Sequence, residues 1–451
     1  MNVAVAPIPA TVPKVGPFRS TRLPAVEERT LGNGLRALAV RKPGIPLVQA
    51  RVVLPARRPR ATTLDQAKQL VLAETLLSGT EHRDSVEVAE ALQRMGATLN
   101  VRVDSEDLRL QGATLSPSLD DYLGLIAELL DEPVFPRDEV EIERARKAQE
   151  VLLQRSEPAV IARAALTRRL YGEHPYHRGL PEAEAVAAVT AGDLRRYFQS
   201  RVAAQDGLLI LVGDLRPAKA LDAAEAALGS WTGATKVAKL PALPPVEPGP
   251  ILLVDRPGAA QSNIRIGGPA LTRRDSGLPA LLLANMIFGG YFSSRLVKNI
   301  REEKGYTYSP RSWIDHRPLG SVLTIQADVG TEVTAPALLE VRYELGRMAT
   351  LPVSDDEVDA ARRYLIGTTA LSTQTQSGLA EYLLALSVAG LGLDYLRDLP
   401  KRLEKVTVDE VRDAAAEYLA PARLPTVIVG DTKAIRDSLE TLDTVEEAPQ
   451  P

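Results

Sequence analysis

The stretch LLILVGD at residues 208–214 and its counterpart VIVGD at residues 427–431 decide the fold of this chain. Each is an unbroken apolar run that ends in Gly-Asp, which is typical of a buried strand that runs into a turn. The two Gly-Asp pairs are 217 residues apart, and the same separation joins Thr190 to Thr407, each of which begins a helical pattern. One constant spacing therefore relates two kinds of signal, which indicates that a single unit occurs twice in the chain.

A third pair of segments supports the duplication. The sequence Asp138-Glu139-Val140 matches Asp356-Glu357-Val358 at a separation of 218 residues, and each opens a helical segment. Helix starts and Gly-Asp turns are common in unrelated sequences, so one pair alone would carry little weight. Several pairs in the same order at nearly one spacing favour a true duplication.

The boundary between the two copies is a proline-dense stretch, LPALPPVEPGP at residues 240–250. Each proline removes a backbone donor and blocks a helix, so this stretch is expected to be an extended linker. The predicted organisation is an N-terminal proline-rich arm at 1–26, a first half at 27–238, the linker at 239–250, a second half at 251–442 and a tail at 443–451.

Both halves follow the same order of predicted elements: alternating strands, a helical segment, two-faced strands, long helices and a closing strand. In the first half, strands are predicted at 35–40 and 47–54, and a helix at 64–77. Strands and helices are mixed without strict βαβ alternation. The predicted fold class is therefore α+β, with two homologous α/β-sandwich halves, each a largely antiparallel sheet with helices packed on one face.

The composition excludes several classes of site and partner. Among 451 residues there is no Cys and only 4 His, which excludes disulfides, thiolate nucleophiles, iron–sulfur clusters and cysteine-ligated zinc. The formal net charge is −4, with 54 Lys+Arg against 58 Asp+Glu. Neither nucleic acid nor an anionic membrane is therefore an expected partner.

The N-terminal sequence bears on localisation. Prolines interrupt residues 1–20, where a signal peptide would lie, and no apolar run approaches the ~18 residues of a membrane span. We therefore expect a cytoplasmic protein, or a periplasmic one if a leader has been removed.

The most informative segment for chemistry is GGYFSSRLVKNIREEKGYTYSP at residues 289–310. Ser293 or Ser294 can cap a short helix, and Gly305 suits the left-handed position that ends it. Arg301 then lies in the last helical turn, and Tyr308 lies where the chain is expected to be extended. Together they would offer a guanidinium and a phenol, which suit a peptide carbonyl or a carboxylate.

The chemistry of Arg301 and Tyr308 also allows a purely structural role for both residues. An Arg near a helix C-terminus is favoured by the helix dipole, and a Tyr on a strand usually packs against neighbours. The residues alone do not decide between packing and binding.

The segment at 289–310 is similar to the C-terminal-half motif of the pitrilysin/insulinase zinc metallopeptidases (inverzincins), which include the mitochondrial processing peptidase and bacterial two-subunit relatives. The resemblance extends over roughly residues 27–442 and includes the paired halves, the linker, the Val-Gly-Asp strand ends and the stretch Tyr171-Gly172-x-His174-Pro175-Tyr176. In that family an Arg and a Tyr with this separation contact bound peptide beside the zinc. The resemblance therefore implies catalytic and substrate-binding roles for Arg301 and Tyr308.

This sequence departs from the family at the zinc motif. Catalytic members carry H-x-x-E-H on the first helix of the N-terminal half, just before Gly-Thr. Counted back from residues 79–80, the His, Glu and His positions fall on Leu70, Ala73 and Glu74. A Leu and an Ala cannot coordinate zinc, and Glu74 alone is one ligand where about three are needed. We predict no metal site here and expect Glu74 to be an exposed or locally paired carboxylate.

The histidines offer no replacement site. His174 and His177 are the only neighbouring pair, and Pro175 between them rules out a regular helical face, so we interpret the segment as structural. His82 and His316 are isolated in the sequence, and we expect them at the surface or in turns.

The resemblance implies the non-zinc-binding subunit of a heterodimeric zinc metallopeptidase. Such a chain would be inactive alone and would hold no cofactor, while a homologous H-x-x-E-H-bearing partner would hold the zinc. It would close a chamber over an unfolded or short peptide, which would dock partly by adding a strand to a sheet edge. Arg301 would bind that substrate and Tyr308 would stabilise the oxyanion.

Two other functions stay open. One is a non-catalytic scaffold or peptide-binding core subunit that has lost peptidase function, although retention of the Arg301 and Tyr308 pair argues against it. The other is a self-sufficient zinc peptidase, which the missing histidines disfavour.

Overall fold

The computed structural model describes residues 23–57, 62–177 and 179–448, so most of the predicted arm at 1–26 lies outside it. The strands are β1 Val26–Thr30, β2 Arg36–Arg41, β3 Leu47–Pro55, β4 Thr98–Val103, β5 Asp107–Leu115, β6 Leu208–Gly213, β7 Ile251–Asp255, β8 Gln261–Ala270, β9 Arg311–Arg317, β10 Gly320–Gly330, β11 Thr426–Gly430 and β12 Val445–Glu447. The helices of the first half are α1 Thr63–Thr75, α2 Ser85–Arg94, α3 Leu119–Asp131, α4 Arg137–Ser156, α5 Pro158–Tyr171, α6 Ala183–Ala187, α7 Ala191–Arg201 and α8 Pro217–Leu228. Those of the second half are α9 Leu278–Asn285, α10 Arg295–Val297, α11 Thr334–Thr350, α12 Asp355–Ser372, α13 Gln376–Val388, α14 Leu393–Glu404, α15 Val408–Tyr418 and α16 Thr432–Glu440.

The strands form two six-stranded mixed sheets of matching topology. Sheet one has the order β1-β2-β6-β3-β5-β4, and sheet two has the order β12-β7-β11-β8-β10-β9. In sheet one the only parallel neighbours among these strands are β2 and β6; in sheet two they are β7 with β11 and β12 with β7. Two homologous α/β halves with largely antiparallel sheets are thereby confirmed.

The prediction of a tail at 443–451 is wrong for part of that segment. Residues Val445–Glu447 form β12, in which Val445 pairs with Ile251 of β7. This strand occupies the edge of sheet two that β1 occupies in sheet one, so the two edge strands come from opposite ends of the chain. A three-residue strand is too short to show an alternating pattern, which is why the sequence did not indicate it.

The repeated helix starts have the same geometry in both halves. Thr190 and Thr407 are N-caps whose side chains accept from the backbone N–H of Asp193 and Glu410, and those carboxylates accept from the cap backbone in return. This reciprocal arrangement satisfies two of the donors that a helix start leaves unpaired. The matching spacing in the sequence therefore corresponds to matching structure.

Strand β6 is buried on both faces of sheet one. Leu208, Ile210 and Val212 belong to a core that includes residues of the second half, whereas Leu209 and Leu211 belong to the core of the first half. Successive side chains of a strand point to opposite faces, so the unbroken apolar run at 208–212 serves two cores.

One helix from the opposite half covers the second face of each sheet. Helix α13 packs on β3 and β6 of sheet one, and α5 packs on β8 and β11 of sheet two. These two helices begin at Pro158 and Gln376, 218 residues apart, so they are the equivalent helices of the two copies. One face of each sheet is covered by helices of its own half, as predicted. The other face is covered by the helix that the opposite half contributes, α13 on sheet one and α5 on sheet two.

Polar contacts also join the two halves. Arg51 of β3 is only 5% exposed and donates from Nε to Oε1 of Glu381 at 2.6 Å and from Nη2 to the hydroxyl of Ser377 at 3.1 Å. Gln376 donates from Nε2 to the carbonyl of Lys42 at 2.8 Å. These hydrogen bonds are directional, so they hold α13 in one orientation against sheet one in addition to the apolar packing.

The helical stretch Leu278–Glu303 is long and apolar enough to cross a membrane by length and composition, and the bent pair α13 and α14 passes the same test when taken together. Polar positions such as Asn285 interrupt its apolar run, which is why the sequence indicated no span. Most of the stretch is buried inside the second half, where Leu281 and Ile300 are fully enclosed. A core helix of the second half accounts for its composition.

Glu106 lies buried between β4 and β5 at the boundary of the two halves. The hydroxyl of Tyr176 donates to its Oε1 at 2.5 Å and accepts in turn from the backbone N–H of Leu319 at 3.4 Å. Burial raises the pKa of Glu106 to about 7 from its ordinary value of 4.5. The folded protein therefore keeps a proton at Glu106 over a pH range in which the unfolded chain has lost it.

We expect the stability of the wild-type chain to fall relative to that of Glu106→Gln as the pH rises from about 5 to about 8. Between the two pKa values the folded state binds one more proton than the unfolded state, so stability decreases with pH until the folded carboxyl also ionises. The neutral amide has no such dependence and still accepts from Tyr176. The difference should grow by on the order of 3 kcal/mol in thermal unfolding at matched ionic strength. Glu90→Gln, on an exposed helix face, is the matched control, and a difference that stays constant with pH would contradict the assignment.

Candidate functional site

The segment at residues 289–310 lies in a helical stretch that contains two π-helical turns. Helix α9 runs into a π-helical turn at Met286–Gly290, and α10 continues into a second one at Lys298–Glu303. Such turns place an extra residue in a helix and occur frequently at functional sites. Phe292 lies in the loop after the first turn, and Arg301 lies in the second.

The local signals of this segment are confirmed. Ser294 is 1% exposed and is the N-cap of α10, where its hydroxyl accepts from the backbone N–H of Val297. Gly305 follows the second π-helical turn with φ of 66°, a backbone conformation that favours glycine. The buried residues Leu296 and Ile300 hold the inner face of the helix against the core.

Close packing fixes the loop that carries Phe292. A Cβ on Gly289 would lie 2.8 Å from Oγ of Ser312, so only glycine fits there without a shift. The hydroxyl of Ser312, on β9, donates to Oδ1 of Asn285 at 2.6 Å, and both residues are buried. The helical residues that lead into the loop are therefore anchored to β9.

The guanidinium of Arg301 lies between two aromatic rings. Its Cζ is 4.5 Å from the ring centroid of Phe292 and 4.9 Å from that of Tyr308. Both distances are within the range of cation–π attraction. The structure thus brings Arg301 and Tyr308 together, as the sequence predicted, and adds Phe292 as a third member of what we call the aromatic clamp.

Tyr308 lies in a bend three residues before β9 rather than on a strand. The neighbouring Thr307 holds this bend, because its hydroxyl donates to the carbonyl of Asp328 at 2.6 Å. Tyr308 is 82% exposed and Phe292 is 64% exposed. The alternative that Tyr308 serves core packing is therefore wrong.

The aromatic clamp leaves hydrogen-bond donors available. Both rings lie against the guanidinium, and its one ion-pair partner among the described residues is Glu302, whose Oε1 lies 3.6 Å from Nη1. No hydrogen bond of the Arg301 side chain or the Tyr308 hydroxyl occurs within residues 23–57, 62–177 and 179–448. An edge of N–H groups beside a phenol can bind a carbonyl or carboxylate oxygen.

Phe292 was not predicted as a site residue. An aromatic side chain directly after a Gly-Gly-Tyr loop gives no chemical signal by itself, since its role depends on a guanidinium nine residues away. The only available indication was a large apolar side chain next to a predicted helix start, where an exposed position is expected.

The positions that match the zinc motif, Leu70, Ala73 and Glu74, lie on α1. Glu74 is locally paired, as expected: its Oε2 accepts from Nη2 of Arg146 at 2.9 Å, and its Oε1 lies 2.7 Å from Nζ of Lys147. Both basic residues belong to α4. Both oxygens of the single carboxylate at the motif are therefore engaged by protein cations.

Two further carboxylates complete this ion-pair cluster on α4. Glu143 accepts from Arg146, and Glu150 lies 3.0 Å from Nζ of Lys147. Burial opposes the charge on Lys147, but its hydrogen bonds to Glu74 and Glu150 raise its pKa above the ordinary value. The residues present fit an ion-pair cluster and do not fit a zinc site.

The histidines take separate roles. His174 is buried, with Nε2 3.0 Å from the carbonyl of Pro241 and Nδ1 accepting from the backbone N–H of Tyr176, so it is structural as predicted. His82 is exposed and lies beside Glu132. The expectation of a surface or turn position is wrong for His316, which is half-buried on β9. No group of three potential metal ligands is found among the described residues.

Two family models match the chain. The model described as insulinase (peptidase family M16) matches residues 71–184, and the model described as peptidase M16 inactive domain matches residues 188–365. Between them they span more than half of the chain. The resemblance drawn from the Arg301 segment is thereby confirmed at the level of the family.

Several bacterial relatives are similar over most of their length. An uncharacterized zinc protease of Streptomyces coelicolor is 24% identical over 374 residues, covering 80% of each chain. The non-peptidase homolog YmxG of Helicobacter pylori is 23% identical over 372 residues, covering 80% of this chain and 84% of the relative. An uncharacterized zinc protease of Mycobacterium tuberculosis is 24% identical over 426 residues, covering 93% and 96%.

Solved structures share the fold. The peptidase M16 inactive domain from Pseudomonas fluorescens superposes with a TM-score of 0.79 at 24% identity, covering 90% of this chain and 98% of that one. A protease from Helicobacter pylori superposes with a TM-score of 0.81 at 20% identity, covering 90% and 100%. Both likenesses extend across the two halves.

We expect zinc to leave the melting temperature of the purified chain unchanged. A single site filled at 100 times its dissociation constant would stabilise the fold by about 2.7 kcal/mol, whereas the motif positions here offer one carboxylate that is already paired. The measurement is thermal unfolding with excess zinc and with a chelator, followed by metal analysis after dialysis. Glu74→Gln serves as the control and should give the same null response. One equivalent of retained zinc that Glu74→Gln abolishes would refute this description of α1.

Proposed function

The chain belongs to the insulinase-type peptidase family M16, and from this premise we propose that it is the zinc-free subunit of a two-chain metallopeptidase. The partner is a homologous chain that carries H-x-x-E-H. The family match to an inactive domain supports the zinc-free part of this proposal.

The observation that carries the proposal is the aromatic clamp. A chain whose motif helix bears an ion-pair cluster nevertheless places a guanidinium beside an exposed phenol, and neither group makes a hydrogen bond with another described residue. Because Tyr308 is 82% exposed, its contact with the guanidinium does not stabilise a core. An exposed donor pair of this kind is suited to a ligand with carbonyl oxygens.

Each residue of the aromatic clamp has a distinct role in this proposal. The partner's zinc supplies a Lewis acid and an activated water when the complex is assembled. Tyr308 donates its hydroxyl to the oxyanion that develops at the scissile carbonyl. Arg301 holds a neighbouring carbonyl or the terminal carboxylate of the peptide through its N–H edge. Phe292 packs against the guanidinium of Arg301 and positions it, so that its N–H edge faces the peptide.

The substrate is an unfolded or short peptide, since the clamp binds main-chain groups and selects no side chain. Edge strands β4 and β9 of the two sheets offer backbone groups for such a segment. Recognition of this kind requires an extended peptide rather than a folded surface.

A second candidate is a non-catalytic scaffold or peptide-binding core subunit. The observation that favours it is the ion-pair cluster on α1 and α4, together with the relative named a non-peptidase homolog. The two candidates differ in one respect that can be measured. Only the peptidase subunit needs the hydroxyl of Tyr308 for turnover.

For the complex of this chain with its H-x-x-E-H-bearing partner, we expect Tyr308→Phe to lower kcat by on the order of 10²–10³ because one oxyanion donor is lost. Assembly should be unchanged in size-exclusion chromatography, since the ring remains. Cleavage of a fluorogenic peptide gives the rate. Tyr343→Phe, which removes a hydroxyl from another exposed tyrosine on α11, should keep full activity. Full activity of Tyr308→Phe would instead support the scaffold.

Phe292→Ala should raise KM by about 2–5-fold and leave kcat nearly unchanged. An exposed cation–π contact contributes about 0.5–1 kcal/mol, and its loss frees the Arg301 side chain without removing a donor. Phe292→Tyr keeps the ring and should restore the KM of the wild-type complex. Equal KM values for Phe292→Ala and the wild type would exclude a positioning role.

A further inference from the structure

A cavity of about 550 Å³ lies at the boundary between the two halves, away from the residues of the aromatic clamp. Its walls come from the turn between β4 and β5, the segment after β8, the end of β9 and one face of α13. This volume is in the range of small-molecule sites. The charged side chains that line it are balanced in number, so their pairing decides what the cavity can bind.

The carboxylates of the β4–β5 turn are engaged by the protein. Arg109 donates to both oxygens of Asp107, at 2.5 and 3.0 Å. Asp104 accepts from the backbone N–H groups of Glu106 and Asp107. Glu106 accepts from Tyr176 and, with a pKa of about 7, carries only part of a charge near neutral pH.

The remaining acidic side chains are also held. Glu381 accepts from Arg51 across the boundary of the halves. Asp315 also has an interaction partner. The acceptor groups of the cavity are therefore largely satisfied before any ligand enters.

Two of the guanidinium groups that line the cavity, those of Arg317 and Arg273, are not satisfied in this way. The side chain of Arg317 is 6% exposed, and its Nε is buried without a hydrogen-bond partner among the described residues. The nearest carboxylate oxygen, on Asp315, is 3.6 Å away, too far for a hydrogen bond. The rings of Tyr176 and Tyr171 lie against the guanidinium of Arg317, at 4.5 and 5.8 Å, and hold it in place.

Arg273 lines the same cavity from the segment after β8. Within the described chain it makes no hydrogen bond or ion pair; the ionisable groups that act on its pKa are the phenols of Tyr395 and Tyr382. Burial lowers its pKa from the ordinary value, which is the signature of a cation without a counter-charge. Two cationic side chains whose hydrogen-bonding capacity is unmet within the described chain thus line one cavity.

We propose that this inter-half cavity binds a carboxylate monoanion, with the guanidinium groups of Arg273 and Arg317 that line it as its donors. A planar carboxylate matches the donor geometry of a guanidinium and replaces the hydration that burial removes from both groups. A monoanion is favoured over phosphate because the carboxyl groups of Asp104, Asp107 and Asp315 also line the cavity and disfavour a second negative charge beside them. His316 adds no positive charge near neutral pH, since burial and Arg273 lower its pKa to about 4.

Two sources can supply this chemistry: a free small carboxylic acid, or the C-terminal carboxylate of a peptide. The proposal does not depend on the peptidase function, because it concerns binding to the chain by itself. A peptide source would connect the cavity to that function as a site for a product end.

Calorimetric titration of the full chain at fixed chloride tests the proposal. N-acetylalanine and N-acetyl-tetra-alanine should bind and raise the melting temperature, whereas the C-terminal amides of both should not. Inorganic phosphate should bind at least tenfold more weakly than N-acetylalanine. Tighter binding of the tetrapeptide than of N-acetylalanine assigns the site to a peptide end, and equal binding assigns it to a free acid.

Variants link the binding to the cavity. Arg273→Gln should weaken binding of N-acetylalanine at least tenfold, while Arg273→Lys, which keeps the charge, should recover part of it. Arg311→Gln alters the exposed end of the same strand that carries Arg317 and should bind as the wild type does. If the carboxylates do not bind at millimolar concentration, if the amides bind equally well, or if Arg273→Gln binds as the wild type does, the proposal fails. Arg301→Gln should keep the binding, which separates this site from the aromatic clamp.

Discussion

Each sheet of this molecule depends on the opposite half to cover one of its faces. Helices α5 and α13 occupy equivalent positions in the two copies, yet each packs on the sheet of the other copy. Without that exchange, the alternate residues Leu208, Ile210 and Val212 of β6 would face water, and burial of such side chains contributes about 1.5–3 kcal/mol each. The duplicated unit is therefore not two domains placed side by side, because neither copy contains all of its own core.

The sequence predicted what short-range patterns encode. The duplication, the strands around 35–54, the capped helix starts, Ser294 and Gly305 all follow from local spacing and backbone chemistry. The apolar run at 208–212 indicated a buried strand, but no local pattern states which helix lies on which of its faces. The exchange of α5 and α13, the edge strand β12 and the half-buried place of His316 depend on contacts between distant segments, so the sequence alone could not reveal them.

The residues of the candidate site were likewise predicted only where a local motif encodes them. Arg301 and Tyr308 were predicted from a motif, and the structure brings them together. Phe292 was missed because its role comes from a ring placed against a cation across a loop. Arg273 and Arg317 were missed because their hydrogen bonding, which is incomplete within the described residues, is a property of the folded environment. The two copies have also diverged: the first carries the ion-pair cluster where the family holds its metal, and the second carries the π-helical turns and the exposed aromatic rings.

The exchange of helices also has a consequence for synthesis on the ribosome. About 160 residues separate the end of β6 at Gly213 from the start of α13 at Gln376. At 5–20 residues per second, the outer apolar face of sheet one waits roughly 10–30 s for the helix that covers it. During that interval the nascent first half has a complete sheet with one apolar face exposed to solvent, which is the kind of surface that holding chaperones bind. Translation speed through the second half thus sets how long the emerging chain needs protection.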